Sequence, residues 1–480
     1  MKKPSFFDWA FSSKTQLFFL TYLSIQTLQK PIRMNKRTFL KTSSVLAAGA
    51  AFPQLFSCAE KPKSDPRTNW AGNLTYSTDN LYTPKTVAEL QETIKKVKKV
   101  RGLGTKHCFN KIADSTENQI SSAEFNKIIS LDKEKQTITV EAGIKYGDLC
   151  KYLDENGFAL YNLASLPHIS VAGACATGTH GSGIKNGNLA TQVVALEFIN
   201  GKGEIISLSK EKDGEEFGMA VVNLGALGIV TKMTLALQPT FKMKQVVYQN
   251  LPMAELEKNF EAIMSAGYSV SLFTDWTKKN ISEVWIKSKA DDMKEIAPEF
   301  YGAKLQTKNL HPIEALDPVN CTDQMGVEGP WYERMPHFKM GFTPSSGKEL
   351  QSEFFIAFEN AYEGLMAIEK LNEKVSPHLF ITEVRAIAGD DLPMSPMYKK
   401  TCVAFHFTWK QETEEVLKVL PLIEEALAPF NPRPHWGKIF TLKPQVLQTR
   451  IEKLNDFKAL MTKHDPEGKF RNEFIDTNLF

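Results

Sequence analysis

At 480 residues the chain exceeds one ordinary core, which predicts two or three lobes and room for a large cofactor. Lys plus Arg number 58 against 55 for Asp plus Glu, so the charge balance calls for neither a nucleic-acid partner nor an acidic surface and leaves small neutral ligands open. The six cysteines, Cys58, Cys108, Cys150, Cys175, Cys321 and Cys402, are scattered without CxxC or metal-ligand spacing, which indicates neither a disulfide framework nor a metal site.

Residues 1–33 carry an apolar patch, QLFFLTYL, too short for a membrane-spanning helix of about twenty residues, and read as an upstream mis-start outside the fold. From Met34 a basic start (Lys36, Arg37, Lys41) leads into an apolar run and small residues before a cysteine, the layout of an export signal over 34–58. NKRTFLK resembles a twin-arginine signal with Lys36 in place of the first arginine, and LFSC resembles a lipoprotein processing site. Cys58 is therefore the expected lipidation site, and the protein is expected outside the cytoplasmic membrane, periplasmic or at the cell surface, touching lipid only through that anchor. Residues 59–67 read as a polar linker.

Past Thr83–Pro84, the residues Val87, Leu90, Ile94 and Val97 fall on one face of a predicted helix. In RGLGTKHCFN, residues 101–110, Gly102 and Gly104 are expected to bracket a short turn that presents Thr105, His107 and Cys108 to whatever the turn binds. KQTITVEAG alternates as a strand and Tyr146–Asn156 is helical in period. Then ASLPHISVAGACATGTHGSG, residues 164–183, contains no charged side chain. Small residues let a ligand approach the main chain, and successive N–H groups in such turns form nests for phosphate oxygens, so a pyrophosphate is the expected guest. Its candidate contacts are Ser165, Ser170, Gly173, Thr177, Gly178, Thr179, His180 and Gly181. Neither GxGxxG after a strand nor GxxxxGK[ST] is present, so a Rossmann or P-loop reading is unsupported. VVALEFINGKGEIISLS predicts a hairpin with Asn200–Gly201 at its turn, and a strand follows over Ile229–Leu237.

From about Lys242, strands over Gln245–Asn250, Ser282–Lys287 and Glu353–Glu359 alternate with helical stretches such as Ala361–Glu373, and 301–345 reads as an irregular excursion. In LFITEVRAI, Glu383 and Arg385 project from one face, with Phe380, Thr382, Val384 and Ala386 on the other. In CVAFHFTW, Val403, Phe405, Phe407 and Trp409 take one face and Cys402, Ala404, His406 and Thr408 the other. Glu and Arg alone would usually be a cross-strand salt bridge, but His406 opposite an aromatic core favours a pocket.

The 164–183 loop resembles the pyrophosphate-binding loop of the vanillyl-alcohol-oxidase (PCMH-type) FAD enzymes, specifically the alditol oxidases, and the likeness runs from NWAGN at Asn69 to the C-terminus. The resemblance implies an α+β fold: a PCMH-type FAD-binding domain over 68–240, an α+β substrate (cap) domain with an antiparallel sheet over 241–430, and a C-terminal segment, 431–480, returning to the FAD domain through DPEGKFRN. In the family's G-x-x-H-[SC]-F pattern the histidine is joined covalently to the flavin, and His107 stands in register. Gly102, Gly104, Thr105 and Cys108 would hold FAD beside it, as would Gly228, Ile229 and Val230 in NLGALGIV. Glu383, Arg385, His406 and Thr408 match the alditol oxidase pattern, and RPHWGK, shared with aldonolactone oxidases, adds Lys438.

The activity so implied is oxidation of the terminal CH–OH of a polyol such as xylitol or sorbitol to the aldose, with hydride passing to flavin N5 and electrons to O2 or another acceptor, in a monomer. Ser165, Glu383 and Thr408 would hold hydroxyls, Arg385 would place charge at the reacting oxygen, and His406 or Lys438 would be the base. The same fold acting on an aldono-1,4-lactone is the first alternative, opposed by SLPHIS and NWAGN. A sugar-binding lipoprotein without catalysis is the second, opposed by the joint presence of His107, Glu383, Arg385, His406 and Lys438.

Overall fold

The structure, a computed structural model, describes residues 67–341 and 348–480. The upstream segment, the export signal with Cys58, and linker residues 59–66 lie outside the described residues, as do 342–347 within the irregular excursion. Among the described residues no helix is long and apolar enough to cross a membrane. Residues 65–480 fold as one unit.

The first helix, α1 (Val87–Lys96), begins where Thr86 caps the N–H of Glu89, and it buries Leu90 and Ile94 completely. It leads into β1 (Arg101–Leu103), the edge of a small parallel sheet. Gly102 thus sits in a strand and not at the rim of a turn: a Cβ there would lie 3.1 Å from the Ile229 side chain beneath it. A five-stranded antiparallel sheet follows, from β2 (Ile128–Asp132), β3 (Thr137–Glu141), β4 (Val193–Ile199), β5 (Ile205–Ser209) and β6 (Ile229–Ala236), in the order β2-β3-β6-β4-β5. Helix α2 (Tyr146–Glu155) packs Leu149, Cys150 and Leu153 into the same core, and the one-and-a-half-turn helix α3 (Val171–Ala176) carries the centre of the small-residue loop.

The hairpin between β4 and β5 differs from the expected tight turn. Ile199 pairs with Ile205, leaving five residues between, and the left-handed residue is Gly203 (φ +80°). Asn200 instead accepts the N–H groups of Lys202 and Glu204 on its side chain, while Gly201 donates to His464 O and leaves no room for a Cβ against Asp465. The turn is shaped by the returning C-terminal segment.

At Lys242 the chain enters a second, larger antiparallel sheet. Its central strands are β7 (Lys242–Pro252), β8 (Ser269–Thr274), β9 (Asn280–Lys289), β10 (Glu349–Ala357), β11 (Leu379–Ile387) and β12 (Cys402–Lys410), ordered β7-β9-β8-β11-β12-β10. One face is apolar: Val284, Leu272, Val384, Phe405 and Phe354 lie in register across it, fully buried. Helices α4 (Leu256–Met264), α5 (Ala361–Glu369) and α6 (Thr413–Leu427) cover that face. The expected helix to residue 373 breaks after Glu369 and resumes as a single turn at Asn372–Val375. A bulge between Leu379 and Ile381 takes Phe380 out of the ladder. Because strand side chains alternate, the residues facing away from the helices form a second face, covered by the first lobe and, around Val247, Phe273 and Trp285, by the irregular excursion.

Candidate active site

The polar face of the large sheet is set by register. Glu383 pairs with His406, which pairs in turn with Glu353 on β10; Arg385 lies two residues along β11, and Thr408 sits opposite Gln351. The HWGK turn closes this face from the side. His435 N–H donates to Glu353 O, Lys438 N–H to His435 O, and Phe109 N–H to Gly437 O at 2.7 Å, so a single turn joins the sheet to the 101–110 loop. Asn110 adds two bonds from its amide, to Trp436 O and Lys438 O.

The result is one cleft with the first lobe on one wall and the sheet on the other. It brings together Gly102, Gly104, Thr105, His107 and Cys108 with Ser165, Gly173, Thr177, Thr179 and His180, and sets them across from Glu383, Arg385, His406, Thr408 and Lys438. The other sequence-predicted contacts do not line it. Ser170 is buried beneath the loop; Gly178 turns under Pro396; a Cβ on Gly181 would strike Leu163 O. Gly228 abuts Ile199 O, Ile229 underlies Gly102, and Val230 belongs to the β6 ladder, so these three shape the lobe behind the wall.

At the centre lies a buried charge cluster. Arg385 donates from Nη2 to Glu353 Oε1 at 3.0 Å and from Nη1 to Ser165 Oγ at 3.3 Å, and its Nε lies 3.5 Å from Glu383 Oε1. Lys438 Nζ donates to Gln351 Oε1 at 2.6 Å and contacts His406 Nδ1 at 3.0 Å, with Glu353 Oε2 at 3.6 Å. His180 Nε2 stands 3.1 Å from Glu353 Oε1. Burial alone would raise both carboxyls, but His180, Lys438 and His406 around Glu353, and Arg385 and His337 around Glu383, more than reverse it and hold both below the usual carboxylate range. Burial, then Lys438, lowers His406 to about 4. Two carboxylates thus offset two cations around a neutral imidazole, the arrangement under which such charges tolerate burial.

On the opposite wall His107 stacks on Trp70, ring centroids 5.5 Å apart and planes 18° from parallel, with Nδ1 3.0 Å from Thr105 Oγ1. Burial, then His168, lowers it to about 4, so its imidazole is neutral and carries a nucleophilic lone pair. Cys108 is a thiol pushed up to about 11 by burial, which removes it as a nucleophile at neutral pH.

Several groups fit a flavin nucleotide. Gly104 and Gly173 line the cleft over Ser170 Oγ, which a Cβ on either would approach to 2.9 or 2.8 Å, so the chain there admits no side chain and leaves the backbone open to a ligand. The backbone N–H groups of Thr105, His107 and Cys108 find no acceptor among the described residues.

Other wall residues had not been singled out. Gln351 and Glu353 share one face of ELQSEFFIA, with Leu350, Ser352 and Phe354 on the other, the same period of two that marks Glu383 and Arg385. His311 and His337 come from the irregular excursion, where no period places them. His311 Nδ1 accepts the Ile313 N–H, so its buried and partnerless Nε2 is a donor.

Fold and site together define an FAD-dependent oxidoreductase of the vanillyl-alcohol-oxidase (PCMH) type. The FAD binding domain family matches residues 78–209, and the D-arabinono-1,4-lactone oxidase family matches 344–478. The chain is 42% identical over 411 residues to the alditol oxidase of Streptomyces sp. (strain IKD472 / FERM P-14339), covering 85% of this chain and 97% of that protein. It is 26% identical over 432 residues to the L-gulonolactone oxidase of Mus musculus, covering 85% and 97%. Cholesterol oxidase from B. sterolicum superposes with a TM-score of 0.69 at 13% identity, covering 88% of this chain and 99% of that one, and chitooligosaccharide oxidase with 0.69 at 13%, covering 90% and 98%; these two show the fold alone. The chain belongs to the alditol oxidase family, related to the aldonolactone oxidases, and FAD is its cofactor.

Proposed function

We propose that the protein oxidises the terminal CH–OH of a linear polyol, xylitol or sorbitol in kind, to the aldose, with FAD held covalently through His107. One observation carries this reading. The cleft sets neutral His107 and the small-residue loop directly across from a base pair, a fixed guanidinium and hydroxyl-binding groups. The net reaction is RCH2OH + O2 → RCHO + H2O2, and FAD supplies the acceptor for the carbon-bound hydrogen.

Loss of that hydrogen requires the alcohol oxygen to give up its proton. The neutral His406 imidazole, or Lys438 3.0 Å away once it has given up its own proton, is the acceptor, and the Glu353 carboxylate beneath them stabilises the cation that results. Arg385 lies close enough to Ser165 to stabilise negative charge on the reacting oxygen, while Ser165, Glu383 and Thr408 receive the remaining hydroxyls. The likeness to an alditol oxidase across nearly its whole length favours a polyol over a lactone.

Two measurements test this. Anaerobically, xylitol or sorbitol should bleach the flavin faster than an aldono-1,4-lactone at equal concentration; the reverse order transfers the assignment to the lactone. For the linkage, acid-denatured protein on a gel should keep its yellow fluorescence, and His107→Ala should bind FAD only weakly and release it on denaturation. Colour that leaves the wild-type chain with the small molecules excludes the covalent bond.

A further inference from the structure

A second chain of polar groups reaches Glu383 from the side away from His406. Lys287, on β9, is fully buried and has no carboxylate in contact among the described residues. Its Nζ lies 2.7 Å from Met335 O, 2.7 Å from Pro336 O and 3.0 Å from His337 Nδ1. The other nitrogen of that ring, Nε2, is 2.7 Å from Glu383 Oε1. His337 is wedged edge-on between Phe273 and Trp285, centroids 5.7 and 5.2 Å away, so the ring has no freedom to turn.

These contacts fix the protons. Arg385 keeps Glu383 ionised, and a carboxylate only accepts, so Nε2 carries a hydrogen and donates it. All three Lys287 contacts are acceptors if Nδ1 holds a lone pair, and an ammonium has three hydrogens to give. The remaining proton is shared between Lys287 and His337; burial lowers the lysine well below its ordinary range, but two carbonyl oxygens at 2.7 Å and the Glu383 carboxylate beyond the ring favour the charged ammonium, which places the proton on the lysine. Burial, then Lys287, holds His337 at about 4, in keeping with a neutral ring.

We infer that Lys287 and His337 are positioning residues that act through Glu383: the lysine fixes the histidine as its Nε2–H tautomer, and that N–H occupies Glu383 Oε1 and turns Oε2 to the cleft as an acceptor for a substrate hydroxyl. The inference rests on the assignment of Glu383 as a hydroxyl-binding residue. It explains why an irregular segment, 301–341, is drawn over the sheet edge: His337 N–H and Phe338 N–H both donate to Ser165 O, so one loop orients the acceptor and ties down the facing wall.

The test needs a readout in the absence of substrate and one in its presence. In flavin-loaded protein labelled with 15N-histidine, the signal absent from His337→Gln should be a neutral ring with hydrogen on Nε2; an imidazolium, or hydrogen on Nδ1, overturns the inference whatever the substrate proves to be. In anaerobic stopped flow, His337→Leu should weaken polyol binding about tenfold or more, the loss expected for a hydrogen bond to a charged group, while the limiting rate of flavin reduction stays within about threefold. His337→Gln, whose amide can donate from nearly the same place, should recover most of the binding. Equal losses in His337→Leu and His337→Gln, or a fall in the limiting rate with binding unchanged, overturn the relay. Lys287→Met should reproduce the binding loss of His337→Leu with the His337 signal split between tautomers; if that variant does not fold, the two His337 variants still decide. Failure of every polyol to reduce the wild-type flavin would instead remove the polyol reading and leave the tautomer result standing.

Discussion

Arg385→Lys is expected to slow the limiting rate of flavin reduction by roughly 10²–10³-fold, the cost of deleting one preorganised donor at a developing charge. Lysine keeps the sign of the charge and loses the fork. Arg385 addresses Glu353, Ser165 and the Glu383 oxygen from three different nitrogens, and a lysine ammonium on a flexible stem can satisfy at most part of that set. Glu383→Gln removes an acceptor used by bound substrate and transition state alike, so its loss should fall mainly on KM. Stopped-flow reduction of the two variants separates the roles. A fully flavin-loaded Arg385→Lys protein reduced at the wild-type limiting rate would eliminate the role given to Arg385.

Glu353→Gln should be the most damaging single change to stability in the site, about 3–5 kcal/mol, because it leaves Arg385 and Lys438 buried beside each other without their shared carboxylate. The pH dependence has a definite sign. Glu353 and Glu383 titrate below their ordinary 4.5, so their contribution is complete above that value and is lost as pH falls through the folded pKa values. His406 and His337, lowered from 6.5 to about 4, bind protons more readily when unfolded across that interval, so folding weakens as pH drops from 6.5 towards 4. All four push the same way, against Glu283 and Glu349, which burial raises to about 7 and which favour the folded state on acidification, so the effect of these four groups is read from the difference in melting temperature between wild type and variant and not from the wild-type curve alone. In Glu353→Gln the melting temperature should start lower at neutral pH, with the gap to wild type narrowing below 4.5 as the wild-type carboxylate is lost. A gap that widens in acid would contradict the assignment of Glu353 as the buried counter-charge.

Alternation made the sheet readable. It put Glu383, Arg385, His406 and Thr408 on one face and the aromatic residues of CVAFHFTW on the other, and the ladder places them so. Applied to ELQSEFFIA, the same period would have delivered Glu349, Gln351 and Glu353, but a carboxylate in such a strand carries no sign of its partners until register sets Glu353 beside His406. His337, Lys287 and His311 were beyond reach for a different reason. Their partners lie 46 to 50 residues away for His337, and His311 is held by a turn without periodicity, so nothing local announces them. The hairpin at Asn200 misled because an Asn–Gly pair is the usual tight-turn signal, yet here the chain's own C-terminal segment docks on Gly201 and the turn opens to five residues.

That docking has a consequence for the order of assembly. Arg101, at the floor of the cleft, gives its guanidinium hydrogens to Gly225 O and to Phe470 O, the latter 369 residues away, and Val100 N–H is closed only by Lys469 O. Asn110 waits similarly on Lys438, 328 residues on. A chain emerging from the ribosome can form its helices and hairpins early, but the acceptor that Phe470 supplies to the arginine exists only after the large sheet has been made. The lobe that holds the nucleotide is thus closed by residues made after the whole of the large sheet.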